Sequence, residues 1–105
     1  MNIEVIARNV DMTDAIAQHA TDRFTHALNQ YEHRVGNVTV RLKDVNGPKG
    51  GVAKVCDAEI KLQGMPDVVV SKTDADLYLA ITTAADTAKV AVGRGLSKLK
   101  DHHPR

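Results

Sequence analysis

The sequence predicts an α+β fold of order β-α-β-β-β-α, a four-stranded mixed sheet with both helices packed on one face. Three observations carry this. Three stretches alternate apolar and polar residues at the period of two that a half-buried strand requires, and a fourth, shorter one begins with three valines. Two others repeat apolar residues every three or four positions, the spacing of one helical face. The charges of the alternating stretches fall on their polar sides, which leaves one sheet face for water and the other for the helices.

Asn2 to Arg8 is the first strand, with Ile3, Val5 and Ala7 on one side and Glu4, Ile6 and Arg8 on the other. Asn9-Val10-Asp11-Met12 breaks it, and Thr13-Asp14 opens a helix. Ile16, Ala20, Phe24, Ala27, Leu28 and Tyr31 share one face of that helix, which ends near Glu32 to Gly36. Its periodicity carries the assignment, because Ile16 stands where a capping box would need Glu or Gln. In the second strand Val38, Val40 and Leu42 face inward and Thr39, Arg41 and Lys43 outward. Asn46-Gly47-Pro48-Lys49-Gly50-Gly51 is a basic loop. The third strand, about Val52 to Gln63, turns Cys56, Ala58, Ile60 and Leu62 inward and Val55, Asp57, Glu59 and Lys61 outward. Gly64-Met65-Pro66-Asp67 turns the chain into a fourth strand, Val68 to Lys72. The strand-helix-strand opening calls for a parallel crossover, and the next two connections for hairpins.

The last helix begins at Thr73 or Asp74, either of which can cap its free amides, and runs to about Lys100. Leu77, Ile81, Ala84, Ala85, Ala88, Val92, Leu96 and Leu99 form its apolar stripe. Lys89, Arg94, Lys98 and Lys100 gather where the carbonyl end of the helix dipole favours cations.

A chain of 105 residues fits a single domain, spanning 1–101 with a short polar tail at 102–105. Its 43% hydrophobic and 26% charged content is that of an ordinary soluble protein. The formal net charge is only +1, so electrostatic recognition has to come from how charges are placed. The lone Cys56 excludes an internal disulfide. No run reaches the ~20 apolar residues of a membrane span, and the N-terminus lacks a basic-then-apolar leader. The expectation is a cytoplasmic protein.

No enzyme constellation emerges. His19, His26 and His33 recur every seventh residue, but seven residues along a helix span about 10.5 Å, too far for two imidazoles to share a metal. That spacing puts His19, Arg23, His26 and Gln30 on one stripe, which reads either as a plain solvated face or as a contact surface for phosphate. His102-His103 lies in the tail, where a metal role has little support. Cys56 reads as a small buried hydrophobe. The glycines of 46–51 and of Gly93-Arg94-Gly95 lack the strand-loop-helix context and Lys-Ser/Thr ending of a nucleotide-binding loop. Gly93 and Gly95 weaken the last helix by roughly 1 kcal/mol each relative to Ala, marking a kink or a close approach of the backbone to a partner. Arg23, His26, Lys89, Arg94 and Lys98 recur on the helix sides away from the sheet. With one Phe, two Tyr and no Trp, base stacking on the sheet is out of reach, which leaves recognition of RNA by backbone and shape.

Two motifs carry a resemblance. Ala7-Arg8-Asn9-Val10-Asp11-Met12-Thr13-Asp14-Ala15-Ile16 resembles the "G-R-N-V-E-V-T-D-A-L" pattern of the ribosome hibernation factors, the family of hibernation-promoting factor and ribosome-associated inhibitor A. Asp76-Leu77-Tyr78-Leu79-Ala80-Ile81, with Asp86 and Lys89 beyond, resembles the family's "D-M-Y-A-A-I-D" pattern. The likeness spans residues 2 to about 100 and keeps the element order, an arrangement like that of double-stranded-RNA-binding domains.

The resemblance implies a protein that docks in the RNA channel of the small ribosomal subunit in stationary phase or stress and inhibits translation. It implies no catalysis, no cofactor, no metal, no small-molecule substrate and no membrane partner, and a free protein that is monomeric. On this analogy the RNA-binding residues are Arg23, His26, Lys89, Arg94, Lys98 and Lys100. The lack of a C-terminal dimerisation domain fits a short form. Val90 and Gly93 occupy places where the family commonly carries Arg or Lys, and Lys72 stands where an acid is usual. These departures imply a weaker electrostatic grip. They keep open a second reading, a protein-interaction module of the same fold with weakened RNA binding.

Overall fold

The computed structural model describes residues 1–46 and 51–101, the side chains of Asn46, Lys100 and Asp101 excepted. Most of the expected basic loop and the His102-His103 tail lie outside those residues.

Strands β1 (Asn2–Arg8), β2 (Val35–Asn46), β3 (Val52–Leu62) and β4 (Val68–Asp74) form one sheet in the order β1-β2-β3-β4. β1 pairs parallel to β2, and the other two pairings are antiparallel. The parallel register sets Ile3 beside Val38, Val5 beside Val40 and Ala7 beside Leu42, so the inward side chains of both strands meet. Helix α1 (Asp14–Leu28) makes the crossover between them, and α2 (Leu77–Asp101) follows β4.

Thr13 caps α1, its hydroxyl accepting from the Ile16 amide at 3.1 Å. The α-helix ends at Leu28, short of the Glu32 to Gly36 expected, because the chain tightens into a 3₁₀ turn at Asn29–Tyr31. Beyond β1 the chain turns through Asn9 at φ 58°, a left-handed conformation that Asn tolerates better than most residues.

β2 starts earlier than its alternation suggests. Val35 pairs with Leu62 and Val38 with Ile60, so three steps on β2 oppose two on β3. This bulge flips the parity and lets both Val35 and Val38 face the core. At the other end of the sheet β4 continues two residues beyond Lys72, pairing Thr73 with Val55 and Asp74 with Lys54.

The cap of α2 therefore falls later than the sequence suggests. Asp76 accepts from the Tyr78 amide at 2.9 Å through its carboxylate, and its carbonyl accepts from Ala80 at 3.0 Å. Asp74 supports the turn by accepting from the Asp76 amide at 2.9 Å, whereas Thr73 belongs to the strand. Leu77, Ala80, Ile81, Ala84, Ala85, Ala88 and Val92 join Phe24 and Leu28 of α1 over the inward faces of β2 and β3. The apolar stripe does not run to the end. Leu96 only packs against the core's margin, and Leu99 is exposed.

Candidate nucleic-acid interface

Each helix runs antiparallel to the strands flanking the crossover, so α1 and α2 lie side by side and point the same way. Their contacts advance together. His19 meets Tyr78 and Thr82, Arg23 meets Asp86, and Tyr31 meets Gly93. His19 Nε2 lies 3.2 Å from the Tyr78 carbonyl and 3.1 Å from Thr82 Oγ1, and its ring stands edge-on to Tyr78 with centroids 4.8 Å apart. The first half of the expected histidine stripe thus faces α2 rather than water, because the α1–α2 seam runs along it. His26 and Gln30 remain exposed.

The two glycines of α2 serve close approaches within the chain. A Cβ at Gly93 would stand 2.7 Å from the Tyr31 hydroxyl oxygen. One at Gly95 would meet the Met65 methyl at 2.6 Å. The helix continues through both without a break. α2 is thus pressed on one side by the end of α1 and on the other by the β3–β4 turn, where Gly64 adopts φ 73°.

Where Tyr31 lies against α2, a shallow depression of about 540 Å³ opens, lined by Tyr31, Lys89, Val90, Gly93, Arg94, Ser97 and Lys98. These α2 residues lie on two adjacent rows of i+4 spacing, Lys89 with Gly93 and Ser97 on one and Val90 with Arg94 and Lys98 on the other, so the cations flank the depression from two sides. The three cations span nine residues, about 13.5 Å of helix axis. None makes an ion pair among the described residues. Here the structure groups three of the expected binding residues.

The others are disposed differently. Arg23 sits nearer the start of α2, its guanidinium 3.5 Å from Asp86 and its side chain 38% exposed. His26 stands exposed on α1. The side chain of Lys100 lies outside the described residues. Tyr31, placed by its spacing on the buried face of α1, is half-buried and lines the depression. Its signal was its chemistry, since a tyrosine buries its ring and presents its hydroxyl to water.

The residues that could support catalysis do not converge. Cys56 is fully buried, and burial, with a smaller push from the neighbouring Asp57 charge, raises its thiol to about 12. Such a thiol stays protonated and is a poor nucleophile. Among the described residues no group of three or more His, Cys, Asp or Glu is placed to hold a metal, and no helix is long and apolar enough to cross a membrane.

The chain is similar to known proteins over nearly its whole length. The family model described as "Sigma 54 modulation protein / S30EA ribosomal protein" matches residues 3–100. A ribosome hibernation promoting factor of Salmonella typhimurium is 29% identical over 102 residues, covering 97% of this chain and 100% of the relative. One from Acinetobacter guillouiae is 26% identical over 109 residues, covering 99% and 95%. Among solved structures, the N-terminal domain of Thermus thermophilus Protein Y superposes with TM-score 0.72 at 29% identity, covering 90% of this chain and 98% of that one. A ribosomal subunit interface protein from Coxiella burnetii, at 16% identity and TM-score 0.78, shares the fold.

Proposed function

This chain belongs to the family described as Sigma 54 modulation protein / S30EA ribosomal protein, and we propose from that premise that it is a ribosome hibernation factor. It acts by binding, without catalysis. It occupies the RNA channel of the small subunit when growth slows and so inhibits translation. The observation that supports this best is the depression beside Tyr31 lined from two sides by Lys89, Arg94 and Lys98, cations that no acid of the described residues neutralises. Flexible ammonium groups and one guanidinium along a helix can follow a phosphate backbone without reading bases.

If those three cations each meet one phosphate, log affinity falls with log salt at a slope of about −2.7, a roughly fortyfold loss between 50 and 200 mM salt. Sedimentation of a stationary-phase lysate through sucrose at low salt tests the reading. The protein travels with ribosomal particles at 50 mM salt and is released at 200 mM. Its remaining at the top of the gradient at low salt refutes the reading. One observation favours a protein-interaction module instead, since Val90 stands 51% exposed among the cations. A partner retained through high salt and RNase treatment would establish that alternative.

A further inference from the structure

The sheet's other face carries a second concentration of positive charge. On that open face the register sets Arg8 beside Lys43, which in turn adjoins Val55 and Thr73 on the next strands. The next row holds Ile6, Arg41, Asp57 and Ser71. The row beyond holds Glu4, Thr39, Glu59 and Val69. Three cations thus gather at one end of the face, with Asp57 beside Arg41 and the acids Glu4 and Glu59 in the row beyond it. Neighbouring strands lie about 4.8 Å apart and alternate residues about 6.7 Å apart along a strand, so Arg8, Lys43 and Arg41 fall within a patch roughly 5 by 7 Å.

The patch is concave and its acid is already occupied. A hollow of about 350 Å³ is lined by Ile6, Arg8, Arg41, Leu42, Lys43 and Asp57. Asp57 accepts from the Ser71 hydroxyl and lies 3.7 Å from Lys43 Nζ. Arg8 and Arg41 make no ion pair among the described residues. Two guanidinium forks on the diagonal of adjacent strands, with Lys43 between them, suit the oxygens of successive phosphate groups, and the acidic row bounds this corner.

We propose that this corner binds a second stretch of RNA phosphate backbone, so that the domain grips RNA on both of its faces. The proposal extends the ribosome-binding reading and takes from it only that the partner is RNA. The helix depression and the sheet corner lie on opposite sides of a two-layer fold, so one straight segment cannot fill both.

The test uses the full chain, isotope-labelled, titrated with a 16-base-pair RNA duplex and followed by amide chemical shifts. Saturable shifts at Arg8, Arg41, Lys43 and their cross-strand neighbours support the proposal, whether or not the α2 residues 89–98 also respond. Shifts confined to α2, or none, overturn it, and a silent α2 alone would sink only the helix reading. If a poly-glutamate peptide of equal charge shifts the same amides as strongly as the duplex, the corner is a general anion or protein-binding surface and the proposal fails. As a second readout, Arg8→Gln with Arg41→Gln removes two phosphate contacts. Using the B-form coefficient of about 0.9 per phosphate, the salt slope becomes shallower by about 1.8, a difference of about twelvefold between 50 and 200 mM salt. An unchanged slope counts against the corner. Arg94→Gln with Lys98→Gln reports on the helix site separately.

Discussion

Gly93→Ala measures how tightly the two helices are locked by Tyr31. In an ordinary helix interior the change stabilises by about 0.8–1.0 kcal/mol, because Ala gives up less backbone entropy. Here the new methyl meets the Tyr31 hydroxyl oxygen at 2.7 Å, whereas the ring carbon behind it, at 3.5 Å, is in ordinary contact. The phenol tip must therefore retreat by roughly 0.7 Å to restore a normal approach, and small-to-large changes of this kind cost about 1–3 kcal/mol. Tyr31 is only half-buried and can give way, which puts its cost near the lower bound. The two effects nearly cancel, so Gly93→Ala alone is neutral to destabilising by about 1 kcal/mol. In a Tyr31→Phe background the oxygen is gone and only the propensity gain remains, so the same change stabilises by about 1 kcal/mol. Urea unfolding followed by far-UV circular dichroism gives both values from the midpoints at constant m, and the double-mutant cycle gives a coupling of 1–2 kcal/mol. Equal stabilisation in both backgrounds refutes the contact. Gly95→Ala is the internal control, because the methyl it meets at 2.6 Å is the far end of a flexible Met65. It stabilises by about 0.5–1 kcal/mol in any background.

Asp76→Ala removes the side-chain cap of α2 and costs about 1 kcal/mol in the same urea assay. Asp74→Ala, which only loosens the preceding turn, costs less, and the reverse order would return the cap to the position the sequence suggested. Arg94→Glu with Lys98→Glu lowers ribosome co-sedimentation by tenfold or more at 50 mM salt while leaving the urea midpoint within about 0.5 kcal/mol, both residues being exposed. Retention of co-sedimentation by that variant removes the assigned surface. Cys56 ionises at 9.0 when unfolded but only at about 12 in the fold. Between those values the unfolded chain has lost a proton that the folded chain keeps. The stability present below pH 9 therefore falls by up to about 1.4 kcal/mol per pH unit above it. A Cys56→Ala variant lacks that component, and identical alkaline slopes for the two proteins would show that the thiol is not shielded.

Much of the fold was legible because apolar periodicity decides which face of each element is buried. It named β1 to the residue, the inward sides of β2 and β3, and the apolar faces of both helices. It faltered where one residue breaks the period. The extra step between Val35 and Val38 reverses inward and outward, and a pattern of two has no means of announcing a bulge. It also faltered where several groups compete for one role. Thr73, Asp74 and Asp76 can all cap a helix, and sheet pairing, a long-range effect, took Thr73 and Asp74 into β4.

At the candidate site the cations of α2 were readable from the sequence, since they cluster at exposed positions in the second half of the helix. What spacing could not show was the partner helix. Only the parallel docking of α1 turns His19 and Arg23 towards Tyr78 and Asp86, and only it brings Tyr31 beside Lys89, Arg94 and Lys98. Val55 shows the limit from the other side. It points outward as expected yet is 7% exposed, and it stands apart from the helix-covered core. Its cover comes from open-face neighbours such as Lys43 and Thr73, which cross-strand packing supplies and a single strand's pattern does not.

Gly93 then takes on a different meaning from the one its sequence position suggests. A glycine where a basic residue is common in proteins of this pattern reads as a lost phosphate contact. In the fold it is the residue that lets Tyr31 lie against α2, and a lysine there would have to displace the ring before its ammonium reached the rim. Gly93 thus sets an aromatic wall beside Lys89, Arg94 and Lys98. Val90 has no such internal partner and is half exposed on the same depression. Of the two departures, therefore, the one at 93 is explained by packing within the chain. The one at 90 bears on what the depression holds, because it sets an apolar side chain beside three charges unpaired among the described residues. A phosphate backbone held there would rest its sugar edges against Val90 and Tyr31 while the three cations take the phosphates. That arrangement would discriminate by groove shape and tolerate any sequence.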